Sequence, residues 1–172
     1  SCTIGEIMFY CTQNQQYIQE GTAFEINGVQ YPANWLNLST PEEKAELNLV
    51  EVVATNSPAN PQYYWVSESL NGAELTYTNT PKDLTTVKSC AFNQVNETAY
   101  TILQPSDWMV VKAFETSTPI NADWNAWRAS IRATADQTRT AVTGAADVDA
   151  VAQIMGNIVW AKSPAALAQE QA

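Results

Sequence analysis

A chain of 172 residues suits one domain, or one domain with a short appendage, and is long enough to bury a sizeable core. Its net charge of −10, with only eight Lys and Arg, excludes general nucleic-acid binding, because affinity for phosphate rests on those side chains. Only 15% of residues are charged, against roughly 25% in typical soluble domains, so much of the polar surface must be Asn, Gln, Ser and Thr.

No apolar run approaches the ~18 residues of a membrane-spanning helix. The opening SCTIGEIMFYC lacks a basic stretch and is interrupted by Glu6, so it is not read as a secretory signal. Synthesis in a reducing cytosol is expected. The cysteines Cys2, Cys11 and Cys90 are odd in number and fit no metal-ligand spacing; a Cys2–Cys11 bridge ranks below free thiols.

In chain order, residues 1 to 20 form a Gln-rich leader with one apolar cluster, Ile4, Ile7, Met8, Phe9 and Tyr10. It is expected to dock on its own domain as an edge strand, with exchange into a neighbour as the alternative. Residues 21 to 79 read as β-rich. In AFEINGVQYP, Asn27-Gly28 between alternating residues marks a two-residue type I′ hairpin pairing Ile26 with Val29 and Phe24 with Tyr31. Trp35 and Leu36 would cover its apolar face. Thr40, Pro41 and Glu43 make a capping box for a short helix ending near Leu47. The β-branched run LVEVVA, 49 to 54, predicts one strand. A second hairpin is predicted over residues 62 to 79 with Asn71-Gly72 as its turn. Tyr64 and Val66 would then share a face with Leu75 and Tyr77, leaving Tyr63 and Trp65 on the opposite face as candidate partner contacts.

Residues 80 to 163 read as helical. Thr80 and Pro81 suggest a start, and Leu84, Val87, Ala91, Val95, Ala99 and Ile102 trace one apolar face. That helix should stop before Gln104-Pro105, with Ser106 capping the next. Trp108, Met109, Val110, Val111, Ala113 and Phe114 leave this second helix apolar nearly all round, which predicts burial in the core or in an interface. After a break at TSTPI, a longer amphipathic helix carries Trp124, Trp127, Ile131, Ala135, Thr138 and Val142, with Gly144 at its end. Asp147 begins a last helix, Trp160 docks after it, and the tail from 164 to 172 is expected to fray. The fold class is therefore α+β, with antiparallel hairpins and a short helix in the N-terminal half and helices in the C-terminal half. A single domain is favoured; were there two, residues 79 to 83 would be the boundary.

The sequence contains no histidine, which excludes Ser–His and Cys–His nucleophilic pairs and zinc binding through imidazole. Ser106-Asp107 lacks a glycine elbow and a base, so a helix cap explains it better. Glu42/Glu43 and Asp147/Asp149 look like first-turn carboxylates that favour the helix dipole. No Gly-rich phosphate loop is present. Neither catalysis nor a cofactor or metal is expected. Arg128 and Arg132, four apart beside Trp124 and Trp127, are candidate contacts for a partner carboxylate or aromatic ring. Pairing with an Asp or Glu of a neighbouring helix is favoured over that.

One stretch carries a family likeness. Leu103, Ser106, Asp107, Trp108, Lys112 and Glu115, then Pro119, then Trp127, Arg128, Ile131 and Arg132, resemble the C-terminal segment of tail-fibre assembly proteins and related tail-associated proteins of tailed bacteriophages. The N-terminal Phe24, Ile26, Gly28, Val29, Tyr31, Pro32, Asn34, Trp35 and Leu36 are similar to small phage tail-region proteins. The end at Trp160 to Pro164 matches that family's Trp-Pro end only in part. The resemblance covers about half the chain and implies a place in tail biology rather than a mechanism. It implies a structural virion protein of the tail, baseplate or fibre-attachment region, made in the host cytoplasm. Its partners would be other phage tail or fibre proteins or further copies of itself, with neither nucleic acid nor membrane. A fibre-assembly chaperone that leaves the mature particle is the alternative. A fibre-associated depolymerase or cell-wall hydrolase, and a carbohydrate-binding module using Tyr63 and Trp65, rank behind.

Overall fold

The computed structural model describes residues 7 to 170. The fold is α+β, with antiparallel hairpin sheets in the N-terminal half and helices in the C-terminal half, as the patterning predicts. The chain divides into two compact units between Thr80 and Pro81, inside the segment named above as the better boundary.

The first unit is organised by hairpins. The leader supplies not one strand but two: β1 (Met8–Cys11) and β2 (Gln16–Gln19) pair antiparallel, Phe9 opposite Ile18. Their loop turns at Gln15, whose φ is +60°. β3 (Phe24–Ile26) and β4 (Val29–Tyr31) form the Asn27-Gly28 hairpin in the predicted register. Both turn residues have positive φ, +53° and +81°, as a type I′ turn requires. Phe24 and Tyr31 stack at 5.0 Å across the ladder, and Trp35 meets both edge-on, so the expected cover forms. On the other face Gln30 donates to Glu25 at 2.8 Å. Val29 departs from expectation and stays half exposed.

α1 (Trp35–Leu38) is a single turn that buries Leu36. α2 (Pro41–Glu46) has the full capping box: Glu43 N–H donates to Thr40 Oγ1 at 3.2 Å, and Thr40 N–H donates to Glu43 Oε2 at 2.8 Å. The run after it is two strands rather than one. β5 (Leu49–Glu51) pairs antiparallel with β1, whereas β6 (Val53–Ala54) pairs parallel with β8 (Glu74–Pro81). Successive amides aim at different sheets: Val52 N–H bonds Met8 O at 2.8 Å, and Val53 N–H bonds Ala73 O at 2.9 Å. β branching gave the strand character but not the partner. Beyond β6, Asn56 and Asn79 replace the ladder with side-chain amides, Asn56 bonding both Tyr77 N–H and Tyr77 O at 2.8 Å.

The last hairpin joins β7 (Tyr64–Asn71) to β8, and its turn is Gly72-Ala73 rather than Asn71-Gly72. Gly72 has φ +57° while Ala73 does not enter the positive region, which fits a type II′ turn with glycine first. Moving the turn by one residue changes each cross-strand partner by two, which preserves the face shared by Tyr64, Val66, Leu75 and Tyr77. The core of this unit gathers Phe9, Cys11, Ile18, Phe24, Ile26, Leu36 and Leu49. Cys11 is a buried free thiol donating to Leu47 O at 3.5 Å; Cys2 lies outside the described residues.

The second unit packs α3 (Leu84–Leu103), α5 (Ala122–Gly144) and α6 (Val148–Gly156) together. The cap of α3 is Asp83, not Thr80, because Pro81 is still the last residue of β8. Asp83 accepts from Thr86 N–H at 2.8 Å and from Thr86 Oγ1 at 2.9 Å. Val87, Ala91, Val95 and Ala99 are buried as the three-and-four spacing predicts. α5 meets them with Trp127, Ile131, Ala135 and Val142. Lys88 donates to Thr143 O at 2.9 Å, placing a cation at the carbonyl end of α5. That helix ends at Gly144 without the left-handed turn that a glycine there suggests. Asp147 caps α6 through Ala150 N–H at 2.8 Å. The tail expected to fray instead forms α7 (Pro164–Glu170), tied back by a Lys162–Glu170 ion pair.

Candidate functional site

The most unusual surface of the second unit is α4 (Asp107–Thr116). A 3-10 turn over Gln104–Ser106 separates it from α3, and Ser117, in the left-handed region at φ +51°, ends it. Burial in the core or in an interface was the expectation for this helix, and the structure overturns the first: none of its residues is buried. Phe114 is 89% exposed and Trp108 57%, with Val110 and Val111 also on the surface. Trp108, Val111 and Phe114 follow at three-residue steps, and Val110 lies four before Phe114, so the exposed side chains are neighbours on the helix. Lys112 Nζ lies 5.9 Å from the Trp108 ring centre, a surface cation–π contact.

Beside this stripe lies an open groove of about 350 Å3. Trp108, Met109, Lys112 and Ala113 line it from α4, and Pro119, Ile120, Asn121 and Trp124 line it from the following turn and the start of α5. Trp124 is held edge-on against Trp127 at 5.5 Å. Asn121 is partly occupied, its Oδ1 accepting from Asp123 N–H at 2.9 Å as the cap of α5. The surface is suited to apolar and aromatic side chains.

The four residues singled out from the sequence fall into separate environments. Tyr63 is buried, so it is no contact residue, and burial pushes its phenol pKa up. Trp65 is 67% exposed on β7. Arg132 is exposed on α5. Arg128, one turn earlier, is 4% exposed and points back to the start of α4. Its Nη2 donates to Asp107 Oδ1 at 2.7 Å, and its Nη1 donates to Leu103 O at 3.0 Å and to Ser106 Oγ. It pairs within its own unit, the favoured sequence reading, and is removed from direct contact with a partner. Ser106 itself is not a side-chain cap: its hydroxyl donates to Leu103 O at 2.7 Å.

Reasoning from sequence named the residues of the stripe but did not decide between core and interface. The available signal was the pair of prolines, Pro105 and Pro119, that bracket a ten-residue helix. A helix cut off on both sides need not follow its neighbours into the core. Among the described residues no three metal-ligating side chains converge, and no helix is long and apolar enough to cross a membrane. Comparison with known protein families, with characterised proteins and with solved structures found no match.

Proposed function

We propose that this chain is a non-enzymatic structural protein of a bacteriophage tail, baseplate or fibre-attachment region, holding its neighbours through α4. The observation that carries the contact role is the exposed stripe of Trp108, Val110, Val111 and Phe114. Contiguous apolar surface of this kind marks interaction sites, since a cover by another protein removes it from water. The attribution to a phage tail comes from the likeness of the 103 to 132 segment, which contains that same helix. The low proportion of charge, 15%, suits a subunit whose surface is largely covered in an assembly. Its partners are other tail or fibre proteins or further copies of the chain, with neither nucleic acid nor membrane, and it resides in the virion after synthesis in the host cytoplasm.

Mass spectrometry of purified particles tests this directly. The chain is expected in intact virions at fixed stoichiometry to a tail protein, and its absence there overturns the reading. Absence from particles, combined with a requirement for fibre trimerisation on co-expression, would establish the alternative of an assembly chaperone.

A further inference from the structure

We propose that Arg128 is the positioning residue of α4: it fixes the direction in which the exposed stripe leaves the helical core. Leu103, Gln104 and Asp107 keep right-handed helical angles, whereas Ser106 has φ −105° and ψ 1°. Ser106 is the residue of these four that departs from the helix. The backbone of the break makes two turn bonds, Gln104 N–H to Tyr100 O and Asp107 N–H to Gln104 O, and the Ser106 hydroxyl donates to Leu103 O within the same turn. Pro105 has no N–H to donate, and the Ser106 hydroxyl makes no cap bond to α4. With no buried residue of its own, α4 does not have its angle set by core packing.

One guanidinium spans the break. Through Nη1 it reaches the last carbonyl of α3, at Leu103, and the Ser106 hydroxyl; through Nη2 it reaches Asp107, the first residue of α4. The planar fork fixes relative orientation as well as distance, which a point-charge ammonium cannot do. Its backbone is anchored independently, because Trp127 and Ile131 on either side are buried in the core of the unit. The Asp107 carboxylate is 51% exposed, so the α4 end of the clamp is the end that can be released without opening the core.

The value of a fixed angle to a partner rests on the contact role proposed above, but the clamp is read out without any partner. Hydrogen–deuterium exchange on the full chain compares the parent with Asp107→Asn, Arg128→Met and Arg128→Lys. Asp107→Asn keeps an acceptor oxygen but takes the carboxylate charge out of the bond to Arg128 at a half-exposed site, and α4 amides are expected to exchange about threefold faster. Amides around Val95 and Ile131 should stay within about twofold of the parent. Arg128→Met should free α4 at least as far, and Arg128→Lys should restore part of its protection. Unchanged α4 exchange in Asp107→Asn overturns the proposal. So does a parallel rise across α3 and α5, which would make Arg128 a holder of the core rather than of α4. If α4 responds as expected but the chain is absent from virions, only the tail assignment fails. If the chain is in virions and α4 does not respond, only the positioning role fails.

Discussion

α4 and α5 invert the usual relation between composition and burial. α4, with Trp108, Val110, Val111 and Phe114 in ten residues, lies on the surface. α5 carries Asp, Arg, Asn, Gln and Thr along much of its 23 residues, yet supplies Trp127, Ile131 and Val142 to the core. The difference is periodicity. Apolar residues on α5 recur on one face that meets α3 and α6, whereas Trp108, Val110, Val111 and Phe114 of α4 face solvent. How apolar a helix is says less about its burial than whether its apolar residues share a side and whether the chain directs that side inward.

The contrast breaks most visibly by emptying the α5 face. Ile131 is fully enclosed, so Ile131→Ala should cost about 2–5 kcal/mol in denaturant unfolding of the second unit. A loss of under about 1 kcal/mol there would mean that α5 is not the core helix described. Next comes Trp127→Phe. It removes the Nε1–H bond to Ala161 O at 2.9 Å and part of a buried ring, for an expected loss of about 1–2 kcal/mol by the same measurement.

A smaller effect tests α3, the partner of α5. The Thr86 backbone N–H, and after it the Thr86 hydroxyl, hold the Asp83 carboxyl below its ordinary value. A lowered folded pKa means the cap stabilises the helix at pH above the ordinary aspartate range. That contribution fades as pH falls through the lowered value. Protection at the first turn of α3, taken relative to the intrinsic amide rate at each pH, should therefore fall on acidification in the parent and lose that pH dependence in Asp83→Ala. Asp83 is fully exposed, so the change belongs to that turn rather than to global stability. The smallest stability effect belongs to α4: Phe114→Ser should shift unfolding by no more than about 0.5 kcal/mol. On the tail role proposed above, the same substitution should weaken association with tail components in pull-down from phage lysate. A large loss of stability instead would mean that Phe114 is packed after all.

Much of the fold was legible because local chemistry decided it. Asn27-Gly28 set both turn and register, and Thr40 with Glu43 announced α2. The spacing of Val87, Ala91, Val95 and Ala99 gave the inner face of α3. What escaped depended on partners distant in sequence. The Gln15 turn carries no strong signal, so β2 was absorbed into the leader. The choice of Gly72-Ala73 over Asn71-Gly72 changes each cross-strand partner by two residues, and alternation is blind to an even shift. The candidate site was legible only as a set of residues. Trp108 and Phe114 face outward while Arg128 turns inward to Leu103, Ser106 and Asp107, an arrangement that no periodicity encodes.

The run from Leu49 to Ala54 has a consequence for how the first unit comes apart. Because β5 belongs to one sheet and β6 to another, with the Val52 and Val53 amides bonded in turn to Met8 and Ala73, the two sheets share a continuous backbone splice. A one-residue slip that suits one ladder dislocates the other, so neither can open gradually from this side. If that splice couples the β1–β2 and β7–β8 hairpins in one opening, the amides of Tyr10 and Thr55 should exchange with the same free energy, and clearly different values would show that the two sheets open separately.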